Sequence, residues 1–240
     1  MRLADFDTLT FDCYGTLIDW ETGLAQAIGP WLDRRGLKKT HDEVLETFAV
    51  CQSAQEDETP AMIYSEVVAH TLQRMAKAWG VEATDAEAEA FGAAVGDWPA
   101  FPDSPDALRY LKRHYRLAVL SNVDRASFAG SNKKLGVEFD AVFTAEDIGS
   151  YKPNLRNFEY MLARLAEMGV AKSRILHTAQ SRYHDHAPAQ KIGLRTAWID
   201  RRHGKKGAGA TVPVTLERAP DFYFTSMAAL VEAHRKEISG

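Results

Sequence analysis

Cysteine is nearly absent from this 240-residue chain: only Cys13 and Cys51 occur. They form no Cys-x-x-Cys pair, so the sequence encodes neither a disulfide scaffold nor a thiolate metal site. A reduced, cytoplasmic setting is therefore expected. No run approaches the ~18 consecutive apolar residues of a membrane-spanning helix. The opening Met1-Arg2-Leu3-Ala4-Asp5-Phe6-Asp7 lacks the apolar core of a signal peptide. Excess charge is also scarce, since 29 Lys and Arg against 33 Asp and Glu leave a formal net charge of −4. There is no basic stripe of the kind that tracks nucleic acid or an anionic membrane, so neither is an expected partner. A small-molecule anion stays compatible, because one pocket can be locally positive. No internal repeat is visible.

What remains is an ordinary globular balance, 45% hydrophobic and 26% charged residues, enough for a sizeable core or a core plus an inserted domain. Short β-type runs occur at 7–13, 117–121, 141–144, 175–179 and 195–199, with a weaker one at 221–225. Their mostly apolar character suits strands buried on both faces of a parallel sheet. Helical segments alternate with them from residue 104 onward. Ser104-Pro105 reads as an N-cap and first-turn proline, a second helix covers roughly 154–168, and a third runs from about Asp185 to a stop at Gly193. This alternation predicts an α/β fold with a doubly wound, Rossmann-like parallel sheet.

Between the first two strands the pattern breaks, because residues 21–98 read as helix throughout. From a start at Thr59-Pro60 to a stop at Gly80, Tyr64, Val68, Leu72, Met75 and Trp79 make one apolar stripe, read as core packing. Several helices without a strand form a separate layer. The expected organisation is an α/β core of residues 1–20 and 99–240 with a helical cap domain of 21–98, the two joined through Trp98-Pro99-Ala100-Phe101-Pro102-Asp103, whose prolines disfavour helix. Residues 201–220, rich in glycine and basic residues, read as a surface loop.

Ligands of doubly wound sheets bind beyond the carboxyl ends of the strands. There this sequence places Asp12, Tyr14 and Thr16 after the first strand and Ser121-Asn122 after the second. Lys152-Pro153 follows the third, and Gln180-Ser181 through Asp185 the fourth. A carboxylate after a buried strand is costly unless paired or used. These segments would converge on one crevice holding two carboxylates, one ammonium and several hydroxyl and amide groups.

Phe11-Asp12-Cys13-Tyr14-Gly15-Thr16-Leu17, Leu120-Ser121-Asn122, Tyr151-Lys152-Pro153 and the loop ending in Asp185 resemble, in order and spacing, the four motifs of the haloacid dehalogenase superfamily. The resemblance covers roughly residues 5–200, and the helical insert matches that superfamily's cap. Phosphatases of the superfamily carry Asp-x-Asp in the first motif, where the second Asp is the general acid. Here that position is Tyr14, and a phenol with a pKa of about 10 is a poor substitute. An extra carboxylate that holds Mg²⁺ is replaced by Gln180. Both features are similar to the L-2-haloacid dehalogenase branch, which needs no metal.

That resemblance implies hydrolysis of short 2-haloalkanoic acids to 2-hydroxy acid and halide, with no cofactor. Asp12 would be the nucleophile, Lys152 would keep it ionised, Thr16 would hydrogen-bond it, and Asp185 would orient or deprotonate the water. Tyr14, Ser121, Asn122, Gln180 and Ser181 would line the substrate site, and a homodimer is implied. Two rivals are a magnesium-dependent phosphatase or phosphonate hydrolase, and a non-catalytic protein that kept the fold; Mg²⁺ enters only under the phosphatase. Three features depart from the dehalogenase pattern. The cap arginine that meets the halide is missing from Glu46-Thr47-Phe48-Ala49-Val50-Cys51, and Arg34, Arg35 and Arg74 are read as surface residues. Gln180, Ser181 and Arg182 stand where Ser and Asn are usual. The His184-Asp185-His186 run is assigned no metal, because adjacent residues do not converge on one ion, and His184 is read as a polar pocket group. Cys13 is expected to be a buried small residue, and Trp20 a packing residue at the hinge into the cap.

Overall fold

The structure, a computed structural model, describes residues 1–204 and 214–239. Strand β1 (Thr8–Phe11) is followed by helices α1 (Trp20–Arg35), α2 (His41–Glu58), α3 (Tyr64–Ala78) and α4 (Asp85–Ala93). The chain continues through α5 (Ser104–Leu111), β2 (Arg116–Ser121), α6 (Arg125–Leu135), β3 (Ala141–Thr144), α7 (Ala145–Ile148) and α8 (Leu155–Glu167). It ends with β4 (Ile175–Ala179), a π-helical turn (Arg182–His186), α9 (Ala187–Lys191), β5 (Arg195–Ile199), β6 (Phe222–Phe224) and α10 (Met227–Ser239). Among the described residues no helix is long and apolar enough to cross a membrane.

The six strands are all parallel in the order β3-β2-β1-β4-β5-β6. β1 is central, with Thr10 in register with Ala118 on one side and His177 on the other. The chain builds outward from β1 through β2 and β3, then returns to its opposite edge with β4. That reversal splays the connections apart and opens a crevice at the carboxyl ends. Alternation along β2 sends Leu117 and Val119 into one core, with Leu9, Phe11 and Leu176. It sends Ala118 and Leu120 into the other, against Phe158, Met161 and Leu165 of α8. Each fully buried large side chain, such as Phe11 or Phe158, contributes about 1.5–3 kcal/mol.

The doubly wound sheet with an inserted helical cap is thus the observed fold. In the cap, Tyr64, Val68, Leu72 and Met75 are buried against Leu45 and Phe48 of α2 and Phe91 of α4. Trp79, at the end of the stripe, is only partly buried.

Several local boundaries differ from expectation. Thr59 does not start α3; it is the C-cap of α2, and its hydroxyl donates 2.8 Å back to the Gln55 carbonyl. Helix α3 begins at Tyr64, after a turn containing Pro60. Ser104 is the first residue of α5 rather than its cap. The preceding Asp103 carboxylate is committed to Arg201, at 2.7 Å, and to the Ala228 amide, at 3.0 Å. The segment from Asp185 does not run as one helix, because the π turn precedes α9. The stop at Gly193 holds, with φ at +73°. Of the expected surface loop at 201–220, residues 205–213 lie outside the described residues. Its first residue is no surface residue. The Arg201 guanidinium is buried over the Phe101 ring, donating to the Thr16 carbonyl at 2.8 and 3.0 Å.

Candidate active site

Strand β1 stops at Phe11, and the chain turns sharply at the switch point. Gly15 takes φ +92°, a conformation side-chain-bearing residues rarely adopt. A Cβ there would also come within 3.0 Å of the Trp20 indole nitrogen. The turn is tied by the Leu17 and Ile18 amides donating to the Cys13 carbonyl, at 2.7 and 2.9 Å. Arg201 anchors its outer side. The result fixes Asp12 at the centre of the crevice, while Cys13 packs fully buried in the core.

The Lys152 ammonium, 2% exposed, joins the two carboxylates. It lies 2.8 Å from Asp12 Oδ1, 2.7 Å from Asp185 Oδ1 and 2.9 Å from the Leu120 carbonyl. All three of its protons are therefore used. Thr16 Oγ1 accepts the Gln180 amide at 2.9 Å, which leaves its proton for Asp12 Oδ2 at 2.7 Å. Both oxygens of Asp12 thus accept, an arrangement that suits the ionised form.

Charge balance follows from the geometry. Burial pushes the Asp12 carboxyl up, opposed by Lys152, so this carboxylate is more basic than a solvated one. Burial also works against ionisation of Asp185, but Lys152 and His177 win and hold it well below the usual carboxylate range. For Lys152, burial is outweighed by the two carboxylates and the pKa rises. One cation and two carboxylates share the site, the Asp12 carboxyl raised and the Asp185 carboxyl lowered from the ordinary range.

A small cavity of about 80 Å³ opens on this cluster. Of the residues the resemblance assigns to catalysis and substrate binding, all lie here except Thr16, which sits behind Asp12: Tyr14, Ser121, Asn122, Gln180 and Ser181 line the cavity with Asp12, Lys152 and Asp185. Some of these groups are already engaged. Asn122 donates to the Lys152 carbonyl at 3.1 Å and accepts the Lys152 amide at 2.7 Å, so it holds the lysine's backbone. The Tyr14 hydroxyl is bound to Ser131 at 2.7 Å, and burial raises its pKa well above normal. Ser181 Oγ accepts the His184 amide at 3.0 Å. His184 also lines the cavity, with its pKa pushed down to about 4 by burial, so it is neutral near pH 7. Trp20 both packs, 5.8 Å from the Phe48 ring, and lines the cavity.

None of the three arginines considered from sequence lines the cavity. Arg35 pairs with Glu87 at 2.7 Å, Arg74 bonds Gln55 at 2.8 Å, and Arg34 is exposed. The cap instead presents Gln52 and Tyr64, which sequence reasoning did not single out. Gln52 Nε2 donates to Glu56 at 2.8 Å, and burial raises Glu56 to about 7. Nothing in the pattern of α2 marks Gln52, since its position over Asp12 depends on how the cap docks. His177 was missed as well, although a lone histidine inside the apolar run Ile175-Leu176-His177-Thr178-Ala179 was a usable signal.

Among the described residues no group of three or more His, Cys, Asp and Glu side chains is arranged to hold a metal ion. The donor set fits Mg²⁺ poorly. Both Asp12 oxygens and Asp185 Oδ1 are bound by protein donors, and position 180 supplies an amide where magnesium favours anionic oxygen.

The sequence model of the haloacid dehalogenase-like hydrolases matches residues 6–178. A search of curated proteins finds no match. The fold is similar to that of the L-2-haloacid dehalogenase PA0810, at 20% identity and TM-score 0.78, covering 98% of this chain and all of that one. It is similar to the L-2-haloacid dehalogenase of Xanthobacter autotrophicus with chloropropionic acid covalently bound, at 18% identity and TM-score 0.75, covering 96% of this chain and 98% of that one. It is also similar to the putative hydrolase YfnB from Bacillus subtilis bound to magnesium, at 19% identity and TM-score 0.76, covering 98% of this chain and all of that one. At these identities the likeness establishes the fold.

Proposed function

Since the chain belongs to the haloacid dehalogenase-like hydrolases, we propose that it hydrolyses short 2-haloalkanoic acids without a metal, through an ester on Asp12. The observation that carries this reading is the state of Tyr14. The position from which a phosphatase of this superfamily would protonate its leaving group holds a phenol bound to Ser131, with its pKa raised. His184 is neutral near pH 7 and so is no acid there either. A nucleophile without an adjacent acid suits a leaving group that departs as a stable anion, and halide is one.

In the first step an Asp12 carboxylate oxygen attacks the carbon bearing the halogen. The C–O bond forms as the C–X bond breaks, and halide leaves with the electron pair. Holding nucleophile and carbon in line in a small desolvated cavity supplies much of the rate. In the second step water adds to the Asp12 ester carbonyl while Asp185 orients it and draws off its proton. Collapse breaks the bond between the Asp12 carbonyl carbon and the substrate oxygen, which takes back the proton held on Asp185 and leaves as the 2-hydroxy acid; the Asp12 carboxyl so formed then ionises and restores the carboxylate. Water is consumed, and one proton and one halide are released. Lys152 counters the charge of Asp12 whenever it is a free carboxylate. The halide would be received by Gln52, whose second amide proton is left after its bond to Glu56.

The test is halide release from both enantiomers of 2-chloropropionate and from chloroacetate and fluoroacetate in excess EDTA, on wild type and Gln52→Leu. The expected result is EDTA-insensitive release, with kcat/KM about tenfold lower in Gln52→Leu, the loss of one hydrogen bond to an anion. No release from any of the acids, or turnover of an aryl phosphate only with Mg²⁺, overturns the assignment. An unchanged Gln52→Leu would remove that residue from the halide's path.

A further inference from the structure

His177 is fully buried on β4, behind the catalytic cluster and outside the cavity lining. Its ring sits edge-on to Phe158, with centroids 5.3 Å apart. Nε2 lies 3.0 Å from Asp185 Oδ1, and Nδ1 lies 2.9 Å from Thr10 Oγ1 on the neighbouring strand. The parallel register places Thr10 and His177 directly side by side, so this contact is built into the sheet.

The carboxylate partner fixes the proton on Nε2. An ionised carboxylate only accepts, so Nε2 must carry hydrogen. In a neutral ring Nδ1 is then the acceptor, and the Thr10 hydroxyl donates to it. Asp185 Oδ1 consequently receives two donors, Lys152 Nζ and His177 Nε2. Asp185 Oδ2 is buried with no protein partner among the described residues. A histidine that merely filled core space would satisfy its nitrogens on backbone. His186 shows the contrast, with Nε2 on the Ala179 backbone carbonyl at 2.9 Å and Nδ1 buried without a partner among the described residues. His177 instead directs Nε2 to a carboxylate of the site.

We propose that His177, held by Thr10 as the neutral Nε2–H tautomer, is a positioning residue that locks the Asp185 carboxylate by Oδ1 and leaves Oδ2 for the hydrolytic water. The kinetic part rests on the dehalogenase reading; the tautomer part does not. The role belongs to the second half-reaction, because ester formation on Asp12 needs no proton acceptor.

Two measurements test it. The nitrogen chemical shifts of the His177 imidazole in the ¹⁵N-labelled wild type, near neutral pH and without substrate, should report a protonated Nε2 and a bare Nδ1. An Nδ1–H tautomer or an imidazolium overturns the proposal. Rapid-quench kinetics with intact-protein mass then separate the two steps. In His177→Phe the alkyl adduct on Asp12 should form at close to the wild-type rate, yet hydrolyse on the order of 100-fold more slowly and accumulate. His177→Gln, which can still donate to Asp185, should recover tenfold or more of that loss, and Asp185→Asn should accumulate the adduct as well. Equal slowing of both steps, or no recovery with glutamine, reduces His177 to a packing role and overturns the proposal. If no variant forms an adduct, the dehalogenase reading fails, and the imidazole spectrum still decides the tautomer.

Discussion

Asp12→Asn is expected to abolish halide release, by at least about 10⁴-fold, the scale on which loss of a covalent nucleophile is felt. The amide oxygen is no match for a carboxylate in displacing halide, and no second carboxylate can stand in. Asp185 is bound by Lys152 and His177 and is held far less basic than Asp12. The variant should nevertheless fold. Its side chain keeps the shape of Asp12, and the lysine retains Asp185 as a counter-ion. One hydrogen bond is lost, since both Lys152 and Thr16 are donors and an amide offers them one acceptor.

The pH dependence of stability gives this prediction a second readout. The carboxyl of Asp12 has a raised pKa in the folded protein. Between its unfolded pKa, near 4, and the folded value, the folded state binds more protons than the unfolded one. Stability from this group is complete below pH 4 and is lost as pH rises. Asp12→Asn removes that loss, so relative to wild type the variant should gain stability between pH 4 and pH 8 in thermal melts. A variant that keeps substantial turnover would end the role assigned to Asp12.

The parts of the site legible in the sequence share one property: they stand at strand ends. Asp12 directly follows β1 and Ser121 ends β2, while Lys152 and Asp185 lie in the segments that leave β3 and β4, and a doubly wound sheet brings these carboxyl-end segments together. What was not legible depends on docking or on burial of a polar group. Gln52 and Tyr64 reach the cavity only because α2 and α3 pack over the turn that follows β1, Tyr64 against Tyr14 and Phe48 against Trp20, and the stripe on α3 says that it packs without saying against which loop. Arg201 follows β5 in a stretch whose composition suggests solvent, yet it reaches the Thr16 carbonyl and Asp103. The helix starts at Thr59 and Ser104 were misplaced for one physical reason. A hydroxyl or carboxylate at a helix boundary caps only if it is free to do so, and these groups serve other partners. The π turn at Arg182–His186 has no periodic signature, but π turns recur at functional sites, and this one carries Asp185.

Lys152→Met should cost more stability than any other single change at the site. Methionine fills the volume of the aliphatic stem but leaves Asp12 and Asp185 facing one another inside the protein with no cation between them. Removing one partner of a buried pair typically destabilises by about 3–5 kcal/mol, because the remaining charge is left uncompensated; here two carboxylates are left. They respond by binding protons, so turnover should fall below detection as Asp12 loses its ionised form. In wild type the depressed carboxyl of Asp185 contributes stability above its unfolded pKa, near 4, that is lost as pH falls through its folded value. In the variant the sign inverts. With the cation gone both carboxyls titrate above their unfolded values, so stability is greatest in acid and declines as pH rises. The gap between wild type and Lys152→Met, measured by urea denaturation, should therefore widen as pH rises from 4 to 8. A loss under about 1 kcal/mol at pH 8, or a gap that does not widen with pH, would mean that the lysine is not the counter-ion of both carboxylates and that the nucleophile is kept ionised by some other group.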